Sequence, residues 1–160
     1  MSLFNLKDKS ILITGSSRGI GKSIAHHCAL HGAKVIISSR KLDACEATAS
    51  EINKAVGTEA AFPIPANISD ENQLNDLVSL TKEKLGRIDT LICNAATNPF
   101  MGSMLDMQSE KLDQVMNNNI KSNQILCNLV LPDMIDREDG SIIIISLSLI
   151  HISEPTRLDG

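Results

Sequence analysis

Thr14-Gly15-Ser16-Ser17-Arg18-Gly19-Ile20-Gly21 stands between the apolar run Ile11 to Ile13 and the helix-like stretch Lys22 to His31. An apolar strand that ends in a glycine-rich turn and opens a helix offers an anion several free backbone N–H groups and the positive end of a helix dipole. The spacing TGxxxGxG assigns the glycines separate tasks. Gly15 permits the tight turn, Gly19 lets the main chain approach a diphosphate without a Cβ, and Gly21 lets the helix pack close to the sheet. Such a turn is the phosphate-binding element of a dinucleotide site, with Gly15, Ser17, Arg18, Gly19, Ile20 and Gly21 lining the pyrophosphate.

Strand-like and helix-like segments alternate outward from this turn, the pattern of an α/β protein with a parallel sheet covered on both faces. The strands are expected at Ile11 to Thr14, Lys34 to Ser39, Ala60 to Ala66, Thr90 to Asn94 and Ser141 to Ser146. The helices are expected at Gly19 to His31, Leu42 to Val56, a stretch from Ser69-Asp70-Glu71 to about Leu85, and a long fourth helix from Leu112 to Met134. Pro63 and Pro65 confine the third strand to a sheet edge, because proline has no N–H to donate to a ladder. That agrees with a doubly wound sheet of order 3-2-1-4-5.

A chain of 160 residues with 42% hydrophobic and 21% charged residues matches one ordinary domain, and a net charge of −4 gives no reason to expect nucleic acid or an anionic membrane as partner. The apolar runs are too short to span a bilayer and Met1 to Ser10 lacks a signal-peptide core, so the cytoplasm is the expected location. Cys28, Cys45, Cys93 and Cys127 are scattered without a CxxC pair, and His26, His27 and His31 lack ligand spacing, so no metal site is expected.

With Gly-Ile-Gly closing the turn and Asn94-Ala95-Ala96 further on, the chain resembles the short-chain dehydrogenase/reductase family, whose Rossmann fold binds a nicotinamide dinucleotide. The resemblance implies an oxidoreductase that moves a hydride between nicotinamide and a small-molecule carbonyl or alcohol, and a homo-oligomer in the complete enzyme. It places Ser39 and Arg40 at the adenosine ribose, Asn67 and Ile68 at adenine, and Asn94 and Ala95 on the nicotinamide side. It also matches Asn119, within Asn117-Asn118-Asn119, to the helix asparagine of the family's proton relay, the one catalytic residue assigned. Three asparagines in mid-helix have poor propensity and suggest that something besides helix formation is served. The second strand ends Ser38-Ser39-Arg40-Lys41 with no acidic residue to accept from ribose hydroxyls. A guanidinium beside hydroxyls suits a 2′-phosphate, so NADP(H) is favoured over NAD(H); Arg40 and Lys41 also suit the solvated start of a helix. Asn67 stands where the family usually has an acidic residue, and it equally suits an ordinary turn.

The resemblance stops near the fifth strand. The family needs a serine just after it and then a YxxxK pair; this chain has no tyrosine, and Leu147 occupies the serine position. From Leu147 onward the sequence resembles the in-frame translation of a sequencing-library adaptor. Residues 1–146 therefore read as an incomplete dinucleotide-binding domain, truncated after strand five, and 147–160 as a non-native tail. The chain as written is expected not to turn over. A non-catalytic dinucleotide-binding sensor and a nonfunctional truncated product are the alternatives.

Overall fold

The computed structural model describes residues 4–146. Leu147, Ser148 and the remainder of the tail lie outside the described residues. Five parallel strands form one sheet: β1 (Ser10–Thr14), β2 (Lys34–Ser38), β3 (Ala61–Pro63), β4 (Thr90–Cys93) and β5 (Ser141–Ile144), in the order β3-β2-β1-β4-β5. The helices are α1 (Gly19–Leu30), α2 (Leu42–Val56), α3 (Glu71–Leu85), α4 (Ser109–Met116) and α5 (Ser122–Asp136). The doubly wound fold and its strand order are those expected from the alternation and the two prolines.

Strand periodicity divides the core into two layers. Leu12, Ile36 and Leu91 face one side of the sheet and pack with Leu74, Leu77, Leu126 and Val130 from α3 and α5. Ile11, Ile13, Val35, Ile37 and Ile92 face the other side and meet Ala25, Ala29, Ala49 and Ile52 from α1 and α2. Successive strand residues point to opposite faces, so a sheet covered on both sides requires continuous apolar runs.

Two elements differ from the sequence expectation. The regular part of β3 is shorter than Ala60 to Ala66, because Pro63 and Pro65 interrupt it. Ile64 N–H and Ala66 N–H nevertheless bond Ile37 O and Ser39 O, both at 3.0 Å, so the prolines fall on the alternate positions that face away from β2. The long fourth helix is α4 and α5 joined through a π-type turn at Asn117–Lys121. A π turn frees main-chain acceptors from the regular ladder. Here Ser122 Oγ donates to Asn118 O at 2.5 Å and Asn123 Nδ2 donates to Asn119 O at 2.8 Å. The asparagine-rich run is thus the sequence of an irregular turn supplied with its own side-chain donors.

Candidate functional site

The carboxyl ends of β1, β2 and β4 meet above the glycine turn, where small hydroxyls and one amide stitch them together. Thr14 Oγ1 accepts the N–H groups of Asn94 and Ala95, both at 3.1 Å. Asn94 Nδ2 returns the link by donating to Thr14 O at 3.1 Å and Gly15 O at 3.0 Å. Ser16, fully buried, donates through Oγ to Ile13 O at 2.7 Å and accepts Ser38 N–H at 2.9 Å. Thr48 Oγ1 donates to Ser17 O at 2.9 Å, fastening the turn to α2.

Gly15 and Gly19 adopt φ of +65° and +57°, a left-handed conformation that side chains disfavour. A Cβ on Gly15 would also come within 2.8 Å of Ala95 Cα, whereas one on Gly19 would enter open space. Gly21 serves close approach: a Cβ there would lie 2.5 Å from Asn94 Nδ2 and 2.9 Å from Ser16 Cα. It lets α1 pack against the turn itself and against the start of the loop after β4.

The helix that begins here is left uncapped. Arg18 is the N-cap of α1 and makes no side-chain cap bond, and the first turn contains no acidic residue. The amides of the first helical residues therefore retain donor capacity and a favourable dipole for an anion. In α3, by contrast, Asp70 accepts from the amides of Asn72 and Gln73.

A cavity of 680 Å³ opens over this N-terminus. Of the residues expected from the sequence, Gly15, Ser17, Arg18, Gly19, Ile20, Ser39, Arg40, Asn67, Ile68, Asn94 and Ala95 line it. Gly21 lies beneath the turn. Asn119 lies behind Thr97, whose amide donates to Asn119 Oδ1 at 2.8 Å and whose carbonyl accepts from Asn119 Nδ2 at 2.9 Å. The Ser39 hydroxyl is engaged locally, donating to Lys41 O at 3.4 Å and lying 3.2 Å from Cys45 Sγ.

The cavity lining holds Arg18, Arg40 and Lys41 and no carboxylate. The amides of Gly19 and Ile20, the Cβ-free approach at Gly19 and these three cations together fit the diphosphate of a dinucleotide. Thr14, Ser16, Thr48 and Asn118 complete the framework and were not singled out from sequence. Their hydrogen bonds join distant segments, so local pattern holds no signal for them, except that Asn118 belongs to the conspicuous asparagine run. A larger cavity of 800 Å³ lies against the β3 edge between α2 and α3, lined by Asn53, Phe62, Pro63 and Leu80 among others. Its lining reaches Pro63, Ile64 and Pro65 at the end of β3 but includes no residue of the glycine turn or of the loop after β4.

Cys93, buried at the end of β4, has its thiol pushed up to about 12 by burial, with a further contribution from Cys127. It is therefore a protonated packing residue. Among the described residues, no group of three histidine, cysteine or acidic side chains is placed to hold a metal ion. Nor is any helix among them long and apolar enough to cross a membrane.

The chain spans about half the length of the curated relatives it matches. It is 34% identical over 141 residues to dehydrogenase/reductase SDR family member 4 of Bos taurus, covering 88% of this chain and 50% of that protein. Tropinone reductase-like 3 of Erythroxylum coca is 33% identical over 138 residues, covering 86% and 52%. Among solved structures, a 7α-hydroxysteroid dehydrogenase complexed with NADH and 7-oxo glycochenodeoxycholic acid superposes with a TM-score of 0.84 at 31% identity, covering 95% of this chain and 58% of that one. A metagenomic short-chain oxidoreductase in complex with NADP gives 0.82 at 29%, covering 94% and 66%. The sequence profile of the short chain dehydrogenases matches residues 9–152, and with the stitched glycine turn and its parallel sheet the chain belongs to that family.

Proposed function

We infer that this chain carries the cofactor-binding half of an NAD(P)-dependent oxidoreductase, with NADP(H) favoured over NAD(H). The observation that carries the inference is the cavity over the α1 N-terminus, whose lining has three cations and no carboxylate. The uncapped amides of α1 would hold the pyrophosphate, and Arg40 with Lys41 and Arg18 would meet a 2′-phosphate through charge-assisted hydrogen bonds. The bound nicotinamide would supply hydride exchange at C4 with a small-molecule carbonyl or alcohol. Asn67 and Ile68 would border adenine, and Asn94 and Ala95 the nicotinamide side. Asn119 keeps one Nδ2 hydrogen and one Oδ1 lone pair beyond its bonds to Thr97, enough to hold a relay water.

The same proposal makes the complete enzyme a cytoplasmic homo-oligomer, and reads residues 147–160 as a tail foreign to it. Sequencing the gene beyond the codon for Ser146 tests the enzyme reading: a serine and a YxxxK pair in the continuing frame support it, and a genuine stop after Gly160 overturns it in favour of a non-catalytic dinucleotide-binding module or a nonfunctional truncated product.

Calorimetric titration with NADP⁺ and NAD⁺ tests the cofactor assignment. The chain should bind NADP⁺ more tightly, and Arg40→Asp should move the preference toward NAD⁺ by about tenfold or more, the scale of one charge-assisted bond to phosphate. An unchanged ratio would refute the role given to Arg40.

A further inference from the structure

One buried polar side chain links two loops of the cleft. Asn118 is 3% exposed and lines the cavity from the π-type turn. Its Oδ1 accepts from Ser69 Oγ at 2.7 Å, and its Nδ2 donates to Thr97 Oγ1 at 3.0 Å. Ser69 belongs to the loop leaving β3, beside Asn67 and Ile68. Thr97 belongs to the loop leaving β4, just past Asn94 and Ala95. A single amide thereby fastens the adenine-side loop to the nicotinamide-side loop across the cleft.

Asn119 reinforces one end of this link by holding the Thr97 main chain at both its N–H and its C=O. Consecutive residues of a regular α-helix point about 100° apart, a consequence of 3.6 residues per turn. A wider turn rotates less per residue, which helps two neighbours reach the same threonine. Burying an amide costs free energy unless its polar atoms are matched, and both atoms of Asn118 are matched by hydroxyls from the two loops.

The geometry points to Asn118 as a positioning residue that sets the separation of the two loops, and so the register in which a dinucleotide is held. The inference rests on the dinucleotide reading given above. A ligand that spans both loops requires them at a fixed separation, and holding them there before binding avoids an ordering cost. A ligand that touches only the adenine side has no such requirement. Loss of the link should therefore weaken the whole dinucleotide more than its adenine half.

The test is calorimetric titration of the full chain with NADP⁺ and with adenosine 2′,5′-bisphosphate, alongside NAD⁺ and AMP so that the outcome does not depend on cofactor preference. In Asn118→Leu, dinucleotide affinity should fall about tenfold while the adenine halves change by less than about twofold. Ser69→Ala, at an exposed position, removes one bond without opening the interior and keeps the test available if Asn118→Leu fails to fold. It should weaken the dinucleotide about threefold, and in the double variant it should add little, because both changes break one link. Equal losses for whole and half ligands, or unaltered dinucleotide binding in the folded variants, overturn the proposal alone. A parent chain that binds neither whole nor half ligands overturns the dinucleotide reading and this inference with it.

Discussion

The two edges of the sheet end in opposite ways. At β3 the residues facing away from β2 are Ala61, Pro63 and Pro65. Asn53 occupies the main chain of the first, accepting Ala61 N–H at 2.7 Å and donating to its carbonyl at 2.9 Å; the prolines have no N–H to offer. That edge presents no free donor to a further strand. At β5 the chain runs Ile142-Ile143-Ile144-Ile145, and the last three are 45%, 56% and 36% exposed. Leu112, Met116 and Ile120, on α4 and the turn after it, are also exposed, at 46%, 50% and 57%. The β3 edge is built to terminate a sheet, whereas β5 has the composition of an interior strand.

The largest test of this contrast is energetic. Ile36→Ala, in the fully buried centre of β2, should cost about 2–5 kcal/mol in urea denaturation. Ile144→Ala should cost less than about 1 kcal/mol. Comparable losses would mean that β5 is covered in solution. A smaller, colloidal effect concerns association. The parent chain should bind a hydrophobic dye and sediment with concentration-dependent mass, Ile144→Lys should reduce both, and Pro63→Val should increase association by restoring an outward N–H at the finished edge. If Ile144→Lys associates as strongly as the parent, the adhesive surface lies elsewhere.

The smallest effect falls on the helix that follows the finished edge. Asp70 is held below the ordinary carboxylate range by hydrogen bonds from the Gln73 side chain, the Gln73 amide and the Asn72 amide. A carboxyl depressed in the folded state contributes its stabilisation fully above its unfolded pKa, and loses it as pH falls through the depressed value. Melting temperature should therefore drop on acidification below about pH 4, the unfolded carboxylate range, and less steeply in Asp70→Asn. An identical acid profile in that variant would remove Asp70 as a contributor.

Much of this architecture was legible because it is carried by local rules. The turn at Thr14 to Gly21 names its own conformation through glycines, and Pro63 with Pro65 put β3 at an edge, in agreement with the strand order. Beyond the turn, the residues of the cleft followed from the family resemblance, which places them where the strands end. What the sequence did not disclose depends on contacts between distant segments: Thr14 with Asn94, Ser16 with Ser38, Thr48 with Ser17, Asn118 with Ser69. Serines and threonines that cross-link strand ends look like any others until the strands are side by side. The asparagine run gave notice of an irregularity, but apolar periodicity averages over a single widened turn and reads α4 and α5 as one helix.

The π-type turn has a consequence for how this helix can change. It accommodates an extra residue in the winding, so the segments before and after it are out of phase, like a screw thread with a splice. Deleting one residue between Asn117 and Lys121 would let the thread run true, but it would also turn either the paired asparagines away from Thr97 or the inward row Leu126, Val130 and Met134 off the sheet. The splice locks the phase of the interior to that of the cleft, and single-residue deletions there should be tolerated by neither.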